Sequence, residues 1–109
     1  MTASLFRNYI AGEWVAGATT TINRNPSDRS DVIGEYAQAD AAQTRAAVAA
    51  ARAAFPAWST GPVQERANIL ERAATEILAR KDELGRLLSR EEGKTLPEGI
   101  GEAMRAGYV

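Results

Sequence analysis

The sequence predicts a chain of mixed α and β structure, with two β-hairpins in residues 1–38 and about four α-helices in residues 39–109. Three observations support this prediction. Aromatic and β-branched residues concentrate in short runs before residue 38, which is typical of strands. From residue 40 onward the apolar residues recur with the helical period of 3.6. Proline or glycine then divides this second half at residues 56, 62, 93 and 97, as expected for separate helices.

The first hairpin is predicted from the runs Phe6–Ile10 and Glu13–Val15, which Ala11-Gly12 connects. Two-residue hairpin turns commonly require positive φ at both central residues, and glycine adopts that conformation freely. Alanine resists it because of its Cβ atom. We therefore expect a turn in which only Gly12 is left-handed.

The second hairpin is predicted from Thr19–Asn23 and Val32–Tyr36. The residues between them include Asn25-Pro26-Ser27-Asp28, and Asn and Asp side chains fold back on the backbone in turns. Pro26 has no amide hydrogen for a strand ladder, so the strand must end before it.

The first helix is predicted over Ala41–Ala54, with Asp40 and Gln43 as a capping box and Pro56 as the stop. One narrow apolar stripe follows its helical spacing: Val48, Ala51, Phe55 and Trp58. The alanine-rich run Ala46–Ala54 favours helix but buries little area per residue, so neighbouring backbones can approach it closely.

Three further helices are predicted. The second opens at Pro62 and presents a wide apolar face. The third begins with Asp82 as its cap and ends at Gly93 in a left-handed stop. The fourth begins at Pro97. The residues that form this face of the second helix are Arg66, Ile69, Leu70, Ala73, Ala74, Ile77 and Leu78.

The composition predicts a thin hydrophobic core. The chain has 109 residues, of which 22 are alanine, whereas Leu, Ile, Val and Phe together number 20. A fraction this low accompanies disorder when the net charge is large, but the formal net charge here is −1. We therefore expect a segment that buries its small-residue faces against something outside these residues.

Several classes of function are excluded or disfavoured by composition. The chain has no cysteine and no histidine, so it has no thiolate nucleophile, no Cys/His zinc site and no histidine base. Its 13 basic residues are scattered among 14 acidic ones, which disfavours nucleic-acid binding. The sequence has no run of about 18 apolar residues, so it predicts no membrane-spanning helix. We expect a cytoplasmic protein that binds neither nucleic acid nor membrane.

Three short motifs resemble parts of known functional sites, but each also has a simpler structural interpretation. Glu92-Gly93-Lys94-Thr95 contains the end of a phosphate-binding loop, but the required earlier glycine is Leu88 and no strand precedes it. A helix stop at Gly93 is the favoured interpretation. Gly99-Ile100-Gly101 lacks the third glycine of a dinucleotide fingerprint. Glu91-Glu92 could be an acid/base pair, yet adjacent helical residues diverge by about 100°, which favours a solvated helix end.

An ordered set of short segments resembles the N-terminal part of NAD(P)-dependent aldehyde dehydrogenases. The set covers nearly the whole chain, and its order and separations carry the resemblance more than any single member. The segments are Asn8-Tyr9-Ile10-Ala11-Gly12-Glu13-Trp14, Asn25-Pro26-Ser27-Asp28, Val32-Ile33-Gly34, Ala47-Val48 to Ala54-Phe55, Trp58, Glu65-Arg66-Ala67, and Glu91-Glu92-Gly93-Lys94-Thr95-Leu96-Pro97-Glu98.

The resemblance implies a large α/β subunit in which residues 1–109 form an incomplete N-terminal part of the cofactor-binding domain. The implied reaction oxidises an aldehyde to a carboxylate. A cysteine thiolate adds to the carbonyl, NAD or NADP accepts the hydride, and a glutamate-activated water hydrolyses the thioester. The implied subunit is commonly part of a homo-oligomer, and its partner is a small-molecule aldehyde.

The resemblance assigns no catalytic residue and no cofactor-binding residue to this chain, because the matching groups are implied to follow Val109. The chain alone is therefore expected to be an inactive fragment. One minor site is implied: some family members hold a weakly bound monovalent cation, which here would involve Asn23, Arg24 and Glu91. Oxygen ligands suit such a hard cation; a solvated acid at Glu91 is the alternative.

Two further expectations concern the substrate of the parent enzyme and the class of protein to which the chain belongs. The stretch Asn25–Gly34, with Gly93–Glu98, looks most like family members that act on 2-oxoglutarate semialdehyde (2,5-dioxopentanoate). The rival interpretation is a free-standing helical module that binds a partner through its alanine-rich face without catalysis. A fragment should aggregate or unfold with poor cooperativity by itself, whereas an independent module should melt cooperatively as a monomer.

Overall fold

The computed structural model describes residues 4–109, which contain five strands and four helices. The strands are β1 (Leu5–Phe6), β2 (Asn8–Ile10), β3 (Glu13–Val15), β4 (Thr19–Arg24) and β5 (Val32–Gln38). The helices are α1 (Ala41–Thr60), α2 (Val63–Ala79), α3 (Lys81–Glu92) and α4 (Leu96–Tyr108). Strands followed by four helices confirm the predicted arrangement.

The chain divides into two compact units. The first contains residues 4–23 and Gly34–Gly61, and therefore the β2–β3 hairpin and α1. The second contains Arg24–Ile33 and Pro62–Val109, and therefore the loop that joins β4 to β5 together with α2, α3 and α4.

The first predicted hairpin is confirmed for β2 and β3, which pair antiparallel. Tyr9 lies opposite Trp14 in the register, and their ring centroids are 4.8 Å apart. Cross-strand aromatic pairs of this kind stabilise a hairpin by a few tenths of a kcal/mol to about 1 kcal/mol. The pairing therefore explains why so short a ribbon is regular.

The predicted strand starting at Phe6 was too long. Phe6 belongs to the separate strand β1, which pairs in parallel with β5 and stacks the Phe6 ring on Tyr36 at a centroid distance of 4.8 Å. The resulting sheet has the order β1-β5-β4. Parallel pairing joins residues about 30 positions apart in sequence, so no local pattern indicates it.

The turn between β2 and β3 differs from the prediction. Both central residues have positive φ, 53° at Ala11 and 84° at Gly12. The expectation that only Gly12 is left-handed was wrong. The right-handed twist of a two-residue hairpin favours positive φ at both positions, and this preference outweighs the roughly 1–2 kcal/mol by which the alanine Cβ disfavours it.

Replacing Ala11 with asparagine should stabilise the protein by about 0.5–1 kcal/mol, because Asn tolerates the left-handed conformation better than alanine. Ala11→Val should destabilise it by at least about 1 kcal/mol, since a β-branched residue fits poorly at positive φ. The free energy of unfolding of the complete protein in urea measures both effects. Equal stability of the two variants would contradict the turn geometry.

The second predicted hairpin is confirmed, with slightly longer strands. The Ala18 amide donates to the Gln38 carbonyl at 2.9 Å. At the other end of the hairpin the Asn25 amide donates to the Asp31 carbonyl at 3.0 Å. The connecting residues form the loop that the Asn, Pro and Asp residues predict.

Helix α1 begins as predicted but does not end at Pro56. Asp40 is the N-cap, and its Oδ1 accepts from the Gln43 amide at 2.8 Å. The second bond of a capping box, from the Asp40 amide to the Gln43 side chain, is absent from the described contacts of Gln43. The Gln43 side chain instead donates to the Ala16 carbonyl at 2.7 Å and accepts from Asn8 Nδ2 at 2.7 Å.

The predicted stop at Pro56 was wrong, because α1 continues to Thr60 with the proline inside it. A proline in a helix interior costs about 3 kcal/mol, since it removes one amide donor and crowds the preceding turn. Carbonyl oxygens in the last turn of α1 nevertheless have hydrogen-bond donors. Thr60 Oγ1 donates to the Pro56 carbonyl at 2.7 Å, and the Gly61 amide donates to the Ala57 carbonyl at 3.1 Å. These bonds support continuation.

The starts of α2 and α4 differ from prediction by one residue, and the start of α3 lies before its predicted cap at Asp82. Helix α2 starts at Val63 with Pro62 at the cap position, and α4 starts at Leu96 with Pro97 in its first turn. Asp82 does not cap α3, which starts at Lys81; the Asp82 carboxylate instead pairs with the Lys81 ammonium at 3.0 Å. Gly93 ends α3 at φ 69°, which confirms the predicted left-handed stop.

The tightest packing lies between α3 and α4 in the second unit. Gly85 on α3 and Gly99 and Ala103 on α4 are buried. A Cβ atom added at Gly99 would lie 2.4 Å from the Gly85 carbonyl oxygen, so the two backbones are in direct contact. Among the described residues, Ala103 is the buried hydrophobic side chain, which agrees with the thin core that the composition predicts.

Most large apolar side chains are exposed within these residues. Examples are Val63 at 73%, Trp14 at 65%, Phe55 at 64% and Leu70 at 62% exposure. A folded domain normally covers a large share of its large apolar side chains. The observation favours a segment whose helix faces are covered by other polypeptide.

Candidate functional site

The loop between β4 and β5 is organised by its own side chains. Asn25 Oδ1 accepts from the Ser27 amide at 2.9 Å, and Asp28 Oδ1 accepts from the Ser30 amide at 3.0 Å. The Asp31 amide donates to the Asp28 carbonyl at 2.9 Å. Such turns replace the backbone partners that a strand would supply. The loop therefore has a defined shape.

An ion pair fixes this loop on the last turn of α3. Arg90 Nε donates to Asp31 Oδ2 at 2.9 Å, and Arg90 Nη2 donates to Asp31 Oδ1 at 2.5 Å. Arg90 Nη2 also lies 3.4 Å from the Val32 carbonyl oxygen. The two-pronged contact matches guanidinium to carboxylate geometry and is stronger than a single charged hydrogen bond.

A second contact holds the loop one turn further along. Ser27 Oγ donates to the Gly93 carbonyl at 3.0 Å. Gly93 is left-handed, and an added Cβ there would lie 2.5 Å from Ser27 Oγ and 2.9 Å from Pro26 Cγ. Glycine is therefore required at this position both by backbone conformation and by contact with the loop.

The ion pair changes the acidity of Asp31. Its hydrogen bonds from Arg90 lower the pKa of the carboxyl group from 3.8 to about 2; desolvation opposes the shift, and a 3.3 Å hydrogen bond from Asn25 assists it. The fold therefore stabilises the ionised carboxylate. This contribution is fully present above the unfolded pKa and is lost as the pH falls through the folded pKa.

The Asp31→Asn variant should be less stable than the original protein at neutral pH, and the difference in Tm should narrow as the pH falls from 5 to 3. Asp82→Asn is a suitable control, because Asp82 pairs only with its exposed neighbour among the described contacts, and exposed pairs contribute little. Thermal unfolding of the complete protein at several pH values measures the difference. A gap between Asp31→Asn and the original protein that does not change across this range would contradict the proposed linkage.

At the junction between α3 and α4, a lysine with a largely buried side chain lies between two carboxylates. Lys94 Nζ lies 2.5 Å from Glu92 Oε2 and 2.5 Å from Glu102 Oε1, and its side chain is 19% exposed. Hydrogen bonds to Glu102 first, and then to Glu92, raise the pKa of Lys94. The lysine is thus engaged in the protein. This engagement, with the left-handed Gly93, confirms the helix-stop interpretation over a phosphate loop.

Helix α4 begins with a capping arrangement that the sequence analysis missed. The Thr95 amide donates to Glu98 Oε2 at 3.1 Å, and Thr95 Oγ1 donates to the same oxygen at 2.6 Å. These bonds lower the pKa of Glu98, the side-chain bond first. A Thr-x-x-Glu spacing just before an apolar helix is the usual signature of this cap, so the signal was present in the sequence.

The three residues predicted to bind a cation lie on one strand and one helix. Asn23 and Arg24 are the last two residues of β4, and Arg24 Nη1 donates to the Arg29 carbonyl at 3.2 Å. Glu91 is half-buried in the last turn of α3 and lines a groove that Glu102 also lines. Arg24 and Glu91 belong to the second unit, whereas Asn23 belongs to the first.

The described residues contain no group of three or more His, Cys, Asp or Glu side chains that could hold a metal ion. In residues 4–109 there is also no helix with the length and hydrophobicity of a membrane span.

Comparison with known proteins identifies the family. A family model described as "Aldehyde dehydrogenase family" matches residues 14–109, which is most of the chain. The chain belongs to the aldehyde dehydrogenase family. The resemblance seen in the ordered sequence segments is confirmed.

Curated aldehyde dehydrogenase relatives are similar over nearly all of this chain. The alpha-ketoglutarate semialdehyde dehydrogenase of Haloferax volcanii is 44% identical over 102 residues, which are 92% of this chain and 21% of the relative. The glutarate-semialdehyde dehydrogenase of Pseudomonas aeruginosa is 41% identical over 103 residues, again 92% of this chain and 21% of the relative. The chain thus spans about a fifth of the length of these relatives.

Solved structures of aldehyde dehydrogenases share the fold. A variant of the 1-pyrroline-5-carboxylate dehydrogenase of Thermus thermophilus superposes with a TM-score of 0.91 at 35% identity, covering 97% of this chain and 20% of that one. The NAD-dependent aldehyde dehydrogenase of Sinorhizobium meliloti gives a TM-score of 0.87 at 33% identity, covering 94% and 21%. The predicted fold class is therefore confirmed.

Proposed function

We propose that this chain is the N-terminal part of the cofactor-binding domain of an enzyme that oxidises an aldehyde to a carboxylate with NAD or NADP. The family match over residues 14–109, to relatives about five times as long, is the observation that carries the proposal. The exposed helix faces support it, because a domain fragment leaves apolar surface without its natural cover.

The 109 residues by themselves are proposed to be inactive. The net reaction consumes an aldehyde, water and NAD(P)⁺ and yields a carboxylate, NAD(P)H and protons. The family reaction needs a cysteine thiolate, and this chain contains no cysteine. When bound, NAD(P)⁺ supplies the hydride acceptor. No residue of this chain is assigned to hold it; the role of these residues is to complete the folded domain.

The proposed substrate is an aldehyde that also carries a carboxylate, with 2-oxoglutarate semialdehyde as the first candidate. The relatives' names support this class: they include dehydrogenases of alpha-ketoglutarate, glutarate and malonate semialdehydes and of N-succinylglutamate 5-semialdehyde. Each named compound combines an aldehyde with at least one carboxylate. We further propose that the complete enzyme is cytoplasmic and forms a homo-oligomer. Light scattering of the complete protein would test its oligomeric state.

The decisive experiment for the proposed function is an assay of the protein encoded by the complete reading frame. NAD(P)H formation at 340 nm should require an aldehyde and should be faster with 2-oxoglutarate semialdehyde than with an uncharged aldehyde of similar length. The 109-residue chain should show no activity in the same assay. No oxidation of any semialdehyde by the complete protein would refute the function, whereas equal rates with the uncharged aldehyde would refute only the substrate class.

The cation site at Asn23, Arg24 and Glu91 is a separate proposal. The carbonyl oxygens of the two β4 residues and the Glu91 carboxylate would bind a monovalent cation such as Na⁺ or K⁺. The fixed loop supports the proposal: the Asp31 to Arg90 ion pair holds the residues after Arg24 on the helical turn that carries Glu91.

Replacing Glu91 with glutamine should abolish stabilisation by Na⁺ or K⁺. In the complete protein the Tm should rise when choline chloride is exchanged for NaCl or KCl at constant ionic strength. A cation at about nine times its Kd would stabilise the fold by roughly 1.4 kcal/mol. Glu102→Gln is the matched control, because Glu102 lines the same groove as Glu91 but pairs with Lys94. An equal response of both variants and the original protein would argue against the site.

A further inference from the structure

No further inference is drawn: the strongest candidate, the apolar groove of the second unit that Leu84, Leu87 and Leu88 of α3 line beside Ala103 of α4, is an unpartnered face, and nothing in the structure shows what covers it.

Discussion

Replacing Gly99 with alanine should destabilise the packing of α3 against α4 by about 2 kcal/mol. The added Cβ would meet the Gly85 carbonyl oxygen at 2.4 Å, and a backbone atom cannot rotate away as a side chain can. Overpacking of this kind costs roughly 1–3 kcal/mol and occasionally more. The better helix propensity of alanine offsets at most about 1 kcal/mol. Gly85→Ala should behave similarly, because its Cβ would lie 2.5 Å from Ile100 Cα.

Gly101→Ala provides a control two residues along the same helix. An added Cβ there has no heavy atom within 4 Å, so the variant should gain up to about 1 kcal/mol from propensity alone. Hydrogen exchange of peptides from α3 and α4 in the complete protein reports local stability. Exchange should be faster in Gly99→Ala and unchanged or slower in Gly101→Ala. The same response from both variants would show that the helices are not in backbone contact.

Replacing Gly93 with alanine should destabilise the junction of α3 with the β4–β5 loop by about 2–3 kcal/mol. Two effects add. A left-handed alanine costs roughly 1–2 kcal/mol, and the new Cβ would approach Ser27 Oγ to 2.5 Å. The loop must then shift, which weakens the bond from Ser27 Oγ to the Gly93 carbonyl.

Gly12→Ala separates the two effects at Gly93. Gly12 is also left-handed, at φ 84°, but a Cβ there has no neighbour within 4 Å. This variant should show the backbone cost alone, about 1 kcal/mol. The two losses can be compared through the Tm of the complete protein. A loss at Gly93 no larger than that at Gly12 would mean that the loop does not pack on Gly93.

The elements that local chemistry determines could be predicted from the sequence. The hairpin β2–β3, the cap at Asp40 and the stop at Gly93 depend on residues that are near one another in sequence, as in the hairpin pair Asn8 and Val15. Hydrogen bonding and backbone conformation at these points follow from the residue types. The family resemblance was also visible, because it depends on the order of short segments.

Contacts between distant residues could not be predicted from one sequence. Asp31 and Arg90 are 59 positions apart, and neither residue type by itself indicates a partner. The parallel pairing of β1 with β5 depends in the same way on tertiary structure. The end of α1 could not be predicted for a different reason. Pro56 predicts a helix end, but hydrogen bonds from the Thr60 hydroxyl and the Gly61 amide complete the turn that follows it.

We propose that these 109 residues are part of a larger folded domain and lack a sufficient core of their own. The critical experiment is unfolding of the isolated chain by urea, followed by circular dichroism and by light scattering. We predict a broad, poorly cooperative transition with self-association, because side chains such as Phe55 and Leu70 remain more than 60% exposed. A monomeric chain with one sharp two-state transition would contradict the claim.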